Sequence, residues 1–274
     1  MSKFEKAYKD IKSYLAGNND SGDRFSSYLR KNKIPHLSYT SISSIDSCPY
    51  RYYLTYIKCV ELDPTPLFFI KGKVFHEYAA AKYKICMEEG FTSTYNSRLY
   101  LPGTLDEDHK THIKNATTVL NKNIWENWEI IGIERPFVFS ISDDIPPIVG
   151  VIDLLLEKDG MISVVDHKTG RDFFKTNFYD PSKIQMSIYY KYVSEEFRSS
   201  NISLYYDKYR WINNLDRIRK PAFEREKINI TKNTWRTTEN LLKSSYQMIN
   251  DYADRGTYPK NGECFRCPYK ELCD

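Results

Sequence analysis

Residues 150–170 read GVIDLLLEKDGMISVVDHKTG and carry two carboxylates and an amine at spacings that could do chemistry. Asp159-Gly160 separates two β-like runs rich in Val, Ile and Leu, which predicts a hairpin. With that pair as the turn, Lys158 faces Met161 and Asp153 falls directly opposite Asp166. Opposed residues share a face of a sheet, with Cβ atoms roughly 5 Å apart. Lys168 lies two residues beyond Asp166 and points to the same face, while the side chain of His167 points to the other. Two facing carboxylates repel each other unless a cation or a proton lies between them. Lys168 could be that cation, or a divalent metal could. The flanks VGVIDLLL and ISVVDHK look buried on both faces, which speaks against a stray surface pair.

A second group of residues could bind metal. Cys264, Cys267 and Cys273 form a C-x2-C-x5-C pattern, which leaves a fourth ligand to come from elsewhere; Cys48 is the candidate. The chain has six cysteines, and its start, MSKFEKAYKDIKSYLAG, is charged and amphipathic, unlike a signal peptide. The expectation is therefore a cytoplasmic protein whose thiols bind metal rather than form disulfides. No stretch is apolar for long enough to span a bilayer, so no membrane partner is expected. Cys59 and Cys86 read as plain buried thiols. Gln185 and Tyr189 are spaced i, i+4 and share one helix face. His36, His109 and His112 are expected to face solvent.

The elements that must position these residues follow from periodicity. Short helices are predicted over 3–17 and 22–31, a helix after the Ser/Thr-rich stretch LSYTSISSIDSCPYRYYLTYI, and further helices over 72–89 and 109–129. The character then turns β-like in GIERPFVFSI, VGVIDLLLE and MISVVDHKT. A helix over roughly 181–198, strands in ISLYYDKYRW and REKINIT, and a long helix over 232–254 complete the chain before the cysteine-rich tail. This is an α/β pattern: a mixed sheet flanked by helices, with a helical N-terminal part. A length of 274 residues supports one sizeable core with appended helices. The net charge of +4, from 40 Lys+Arg against 36 Asp+Glu, permits a nucleic-acid partner without demanding one. Aromatic residues make up 15% of the chain, so base-stacking surfaces are available.

GVID followed by VVDHKTG resembles the central motif of the PD-(D/E)XK nuclease superfamily, in its RecB-like branch. Further pieces match in order: SYTSISSIDSCPYRYYL an N-terminal helix, GKVFHEYAAA a histidine motif, QMSIYY a Q-x-x-x-Y motif and CFRCPYKELC a cysteine motif. The resemblance covers about residues 37–273, so 1–36 is expected to be a helical extension and 37–274 the nuclease domain. It is nearest in pattern to the iron–sulfur-containing CRISPR-associated and AddB-type nucleases.

The resemblance implies that His76, Asp153, Asp166 and the backbone carbonyl of His167 bind Mg2+ or Mn2+. It implies that Lys168 orients water or stabilises the transition state, and that Gln185 and Tyr189 support the site and the substrate phosphate. Glu134 on the preceding strand could assist, and Arg171 and Lys175 could touch phosphate at the mouth. For Cys48, Cys264, Cys267 and Cys273 it implies a [4Fe–4S] cluster; a structural zinc would use the same thiolates. The implied activity is that of a metal-dependent DNA nuclease, an exonuclease acting on single-stranded DNA or free ends. The stretch YYDKYRW is expected to supply stacking and phosphate contacts. A helicase, integrase or polymerase partner is conceivable. The alternatives are a subunit processing DNA for CRISPR spacer acquisition and a catalytically idle DNA-binding scaffold, the latter disfavoured by the intact Asp153, Asp166 and Lys168.

Overall fold

The structure is a computed structural model that describes residues 2–18, 22–62, 66–91, 99–171, 181–217, 220–261, 264 and 267–273. Its centre is a five-stranded sheet in the order β1 (Glu129–Phe139), β2 (Ile148–Lys158), β3 (Met161–Gly170), β4 (Ile202–Arg210), β5 (Phe223–Ile228). The first three strands run antiparallel, β3 and β4 parallel, and β4 and β5 antiparallel. The β2–β3 hairpin forms as its turn residues dictate. Asp159 and Gly160 both take positive φ, 51° and 73°, as a two-residue turn of the primed type requires. The register then runs from Lys158–Met161 to Leu154–Val165. A parallel neighbour cannot be reached by a hairpin, and the β3-to-β4 connection contains α7 (Pro181–Glu196).

Helices cover both faces. On one side α3 (Tyr39–Ser47), α7 and α8 (Lys232–Arg255) bury Ile42, Met186, Tyr189, Val193 and Leu242 against Ile152, Leu155, Val164 and Leu204. On the other, α5 (Leu67–Glu89) and α6 (Glu107–Asn121) bury Phe75, Ala79, Tyr83, Ala116 and Leu120 against Leu154, Leu156, Val165 and Tyr209. Gly150 is needed where the Phe137 ring crosses β2, because a Cβ there would lie 2.5 Å from that ring. Capping boxes fix the starts of α3 (Ser38 with Ser41) and α8 (Thr231 with Thr234), and Gly256, at φ 64°, ends α8.

The N-terminal helices α1 (Lys3–Gly17) and α2 (Gly22–Lys31) pack through Ile11, Phe25 and Leu29 onto Val138 of β1 and Val149 of β2. A short α4 (Pro49–Tyr52) continues into a π-helical turn, Tyr53–Ile57. The helix expected over 109–129 stops at Asn121. The following Trp125 is instead drawn into the core, where its indole N–H donates to Asp207 and Arg225 stacks on its ring at 3.7 Å. Among the described residues no helix is long and apolar enough to cross a membrane.

Candidate active site

The site is made where β2 parts from β3 and Glu134 interrupts the pairing with β1. The regular β2–β3 pairing stops at Leu154–Val165, and at the next position the Asp153 carboxylate accepts the backbone N–H of His167 at 2.7 Å. On the other edge of β2, the pairs Ile133–Leu154 and Arg135–Ile152 bracket Glu134 opposite Asp153. Glu134 has φ 46°, in the left-handed region that costs a non-glycine residue about 1–3 kcal/mol. Both strands change their facing at this level. Ile152 and Leu155, three residues apart, enter the same core, whereas Ile133 and Phe137, four apart, enter opposite cores. A regular strand does the reverse.

This irregularity replaces a direct cross-strand pair of Asp153 and Asp166 with two differently directed carboxylates, whose charges still act on each other. Asp153 fills the gap between the strands and turns to α5, where its Oδ2 lies 3.4 Å from Nδ1 of His76. Glu134 Oε1 lies 3.9 Å from the same nitrogen. The ligand atoms of His76, Glu134 and Asp153 all fall within 4.8 Å of one another, alone among the described residues in doing so. Sequence reasoning gave Glu134 only an assisting place, and only the left-handed turn shows how it reaches the site. Asp166 addresses α7 instead. Its Oδ1 accepts from Gln185 Nε2 at 2.9 Å, and Gln185 Oε1 accepts from Lys168 Nζ at 3.0 Å. Gln185 Nε2 also reaches the Tyr189 hydroxyl at 2.8 Å, and that hydroxyl donates to the Val151 carbonyl at 2.8 Å. Lys168 Nζ sits 2.5 Å from Asp166 Oδ2 as a charge contact, while Oδ2 remains without an aligned hydrogen bond.

The electrostatics describe a cluster short of positive charge. Burial raises the Glu134 carboxyl, the Asp153 carboxylate raises it further, and His76 only partly compensates, leaving it at about 7. Burial would lower His76, but Asp153 and then Glu134 hold its proton up to about 9. Burial pushes Asp166 up to about 6 against the pull of Lys168. Asp153 is held below the ordinary carboxylate range because His76 outweighs its burial. One imidazole and two carboxylates, gathered with a proton held among them and with the Lys168-paired Asp166 carboxylate nearby, suit a divalent cation with oxygen and nitrogen ligands.

His167 keeps its side chain on the α5 side, as its register requires. The ring is buried parallel to Tyr83 at 5.9 Å, and neither ring nitrogen has a hydrogen-bond partner among the described residues. Arg171 is exposed at the end of β3, and Lys175 lies outside the described residues. The stretch YYDKYRW is not a surface for bases. Tyr206, Asp207 and Tyr209 are fully buried, Lys208 nearly so, and Asp207 is held by both Arg225 Nε (2.7 Å) and Nη2 (2.8 Å). His36, His109 and His112 are half-buried rather than solvent-facing, and His112 sits 3.4 Å from Lys71 Nζ. Cys86 is buried, but Cys59 is exposed.

At the far end of α3, the tail folds back onto Cys48. Tyr50 N–H donates to the Pro259 carbonyl, Asn261 to the Ser47 carbonyl, and Thr55 to the Tyr269 hydroxyl. Cys48, Cys264, Cys267 and Cys273 line one cavity of about 220 Å³ with Arg51 and Lys260. Burial raises the Cys273 thiol, and the neighbouring Cys267, Cys264 and Cys48 add to this. No three of these thiols lie within 4.8 Å of one another.

A sequence profile of the PD-(D/E)XK nuclease superfamily matches residues 36–274. The chain belongs to that superfamily, and the mixed sheet with its flanking helices is the superfamily's fold. No curated protein matches the chain. Among solved structures, a candidate exonuclease from Eubacterium rectale superposes at TM-score 0.61, with 9% identity over 94% of each chain. SSO0001 shares 14% identity over 98% of this chain and 94% of its own, at a TM-score of 0.38.

Proposed function

We propose that this nuclease-superfamily member is a divalent-metal-dependent deoxyribonuclease that trims single-stranded DNA from free ends. The observation that carries the reading is the parted β2 strand. It brings His76, Glu134 and Asp153 to one side of a gap and the Asp166–Lys168–Gln185–Tyr189 network to the other. His76, Asp153, Asp166 and the His167 carbonyl would hold Mg2+ or Mn2+, with Glu134 as a further ligand. When bound, the metal supplies an activated water and charge stabilisation at the scissile phosphate.

The chain's own residues do the rest. Lys168 carries the positive charge that faces the scissile phosphate and orients the attacking water. Gln185 holds Lys168 and Asp166 in a fixed relation, and Tyr189 anchors Gln185 to the β2 backbone, so neither charged group must reorganise during the reaction. The E. rectale protein supports the exonuclease part by its description. End-labelled single- and double-stranded DNA, incubated with Mg2+, Mn2+ or EDTA, tests the reading: cutting should need the metal and favour single strands.

Residues 37–274 form the nuclease domain in this reading, with 1–36 as its extension. The four cysteines that line one cavity support a thiolate metal centre, and the family resemblance makes a [4Fe–4S] cluster the reading preferred over zinc. A structural zinc would use the same thiolates. Arg51 and Lys260 on the cavity wall offset thiolate charge.

A further inference from the structure

Helix α5 carries His76 on a stripe that does not end at the metal-binding group. Phe69 precedes His76 by seven residues, two full turns, so both project from the same face. Gly72 and Lys73 lie between them on that face. Phe68 and Phe69 are 52% and 47% exposed, with ring centroids 4.2 Å apart and planes tilted by 36°. Each ring thus leaves about half of its surface in water, and neither belongs to a core cluster of the described residues. A Cβ on Gly72 would meet nothing within 4 Å, so the strip between the aromatic pair and His76 is open. Lys73 is 58% exposed at its side chain, and its amine lies 2.7 Å from the exposed Asp23 and 3.9 Å from Glu77.

We infer that this strip is a substrate subsite in which Phe68 and Phe69 stack the unpaired bases of a DNA single strand. Lys73 contacts the strand's phosphate between those bases and the metal-binding residues. The inference rests on the nuclease reading and names its specificity element. Three features select a single strand as the occupant. The strip is continuous with the candidate active site. Its apolar end is aromatic, and a π-face stacks bases of any sequence. Its middle carries Lys73 beside a glycine, an exposed amine that a backbone phosphate reaches by taking it from the equally exposed Asp23. The length also fits: two helical turns are roughly 11 Å, which a few nucleotides of an extended strand span. A duplex would keep its bases stacked on one another and present none to the phenylalanines. Preference for single strands thus originates on α5, not on the buried YYDKYRW strand.

The test compares a fluorescent oligothymidylate with an abasic oligonucleotide of equal length, both titrated in EDTA. Wild-type protein should bind the thymidylate on the order of tenfold more tightly than the abasic strand, the size of one base–aromatic stack. The Phe68→Ala/Phe69→Ala protein should bind both strands alike, and the Phe68→Leu/Phe69→Leu protein should recover little of the preference. Circular dichroism and thermal melting should match wild type, since both rings lie outside the core. An unchanged preference in the alanine pair, in a protein that still cuts DNA with Mn2+, overturns the subsite and leaves the nuclease reading intact. A wild-type protein that neither binds nor cuts DNA overturns both. Full recovery in the leucine pair would show a generic apolar contact and also overturn stacking.

Discussion

Glu134 stands opposite Asp153 across β1 and β2, and its backbone takes a left-handed φ of 46° to do so. A strained carboxylate turned toward another carboxylate is stabilised, among the described residues, by His76 and by any cation that joins them. This relationship predicts a trade between stability and metal binding. Glu134→Gly relieves the strain and should stabilise the metal-free protein by about 1 kcal/mol. The same change should weaken Mn2+ binding by on the order of tenfold or more. Thermal melting without metal and Mn2+ titration calorimetry read the two effects. A variant that loses stability and keeps its affinity would remove Glu134 from the site.

The protonation of the cluster sets a pH dependence for the metal-free fold. His76 is raised to about 9, above its unfolded value near 6.5, so its contribution is full below about 6.5 and lost as pH climbs through 9. Glu134, raised to about 7, binds its proton more tightly folded than unfolded, and its contribution likewise fades as pH rises through 7. Asp153 is ionised throughout this window and adds no slope. The melting temperature without metal should therefore fall between pH 6 and 9 after the general trend is subtracted with the His76→Ala/Glu134→Gln protein. Metal binding at pH 7 should release protons, seen as a calorimetric heat that depends on the buffer. Buffer-independent heats would contradict the assignment.

Asp207 anchors the wall behind His167. It is fully buried, takes a bidentate Arg225 and accepts the Trp125 indole N–H. Removing one partner leaves a buried charge unpaired, at a cost of about 3–5 kcal/mol. Asp207→Ala should lower the unfolding free energy read from urea curves by about that amount, with a matching drop in midpoint, whereas Lys168→Ala, whose amine is one third exposed, should cost less. Equal midpoints would mean that the network is dispensable.

The cysteines predict colour. Protein purified without oxygen should absorb broadly near ~400 nm and hold about four irons per chain. Cys264→Ser should give colourless, poorly soluble protein, because the centre ties the tail to Cys48 across a very long loop. Cys86, buried against α6 and the sheet, should tolerate Ser without loss of colour. One zinc and no iron would replace the cluster with a structural zinc site.

Much of this was legible in the residues, and what was not has a physical reason. Asp159-Gly160 set the hairpin register because few other residues accept two successive positive φ angles. The i, i+4 spacing of Gln185 and Tyr189 placed both on the face that meets Asp166. Glu134 stayed obscure because its position depends on a left-handed residue inside a strand, which no period reveals. YYDKYRW looked like a nucleic-acid surface because buried ion pairs have the composition of exposed ones; only packing shows that Asp207 and Lys208 are satisfied from within. Phe68 and Phe69 failed to stand out for the converse reason, since apolar residues at a helix start usually read as core.

The central claim is that the residues gathered at the parted strand cut DNA with a bound metal. End-labelled single-stranded oligonucleotide, incubated with Mn2+ and with wild-type, Asp166→Ala or Lys168→Ala protein, tests it most directly. Wild type should shorten the strand progressively, EDTA should stop it, and each variant should lose at least a hundredfold in rate while melting cooperatively. Cutting by Asp166→Ala at the wild-type rate, or wild-type cutting that persists in EDTA, would contradict the account.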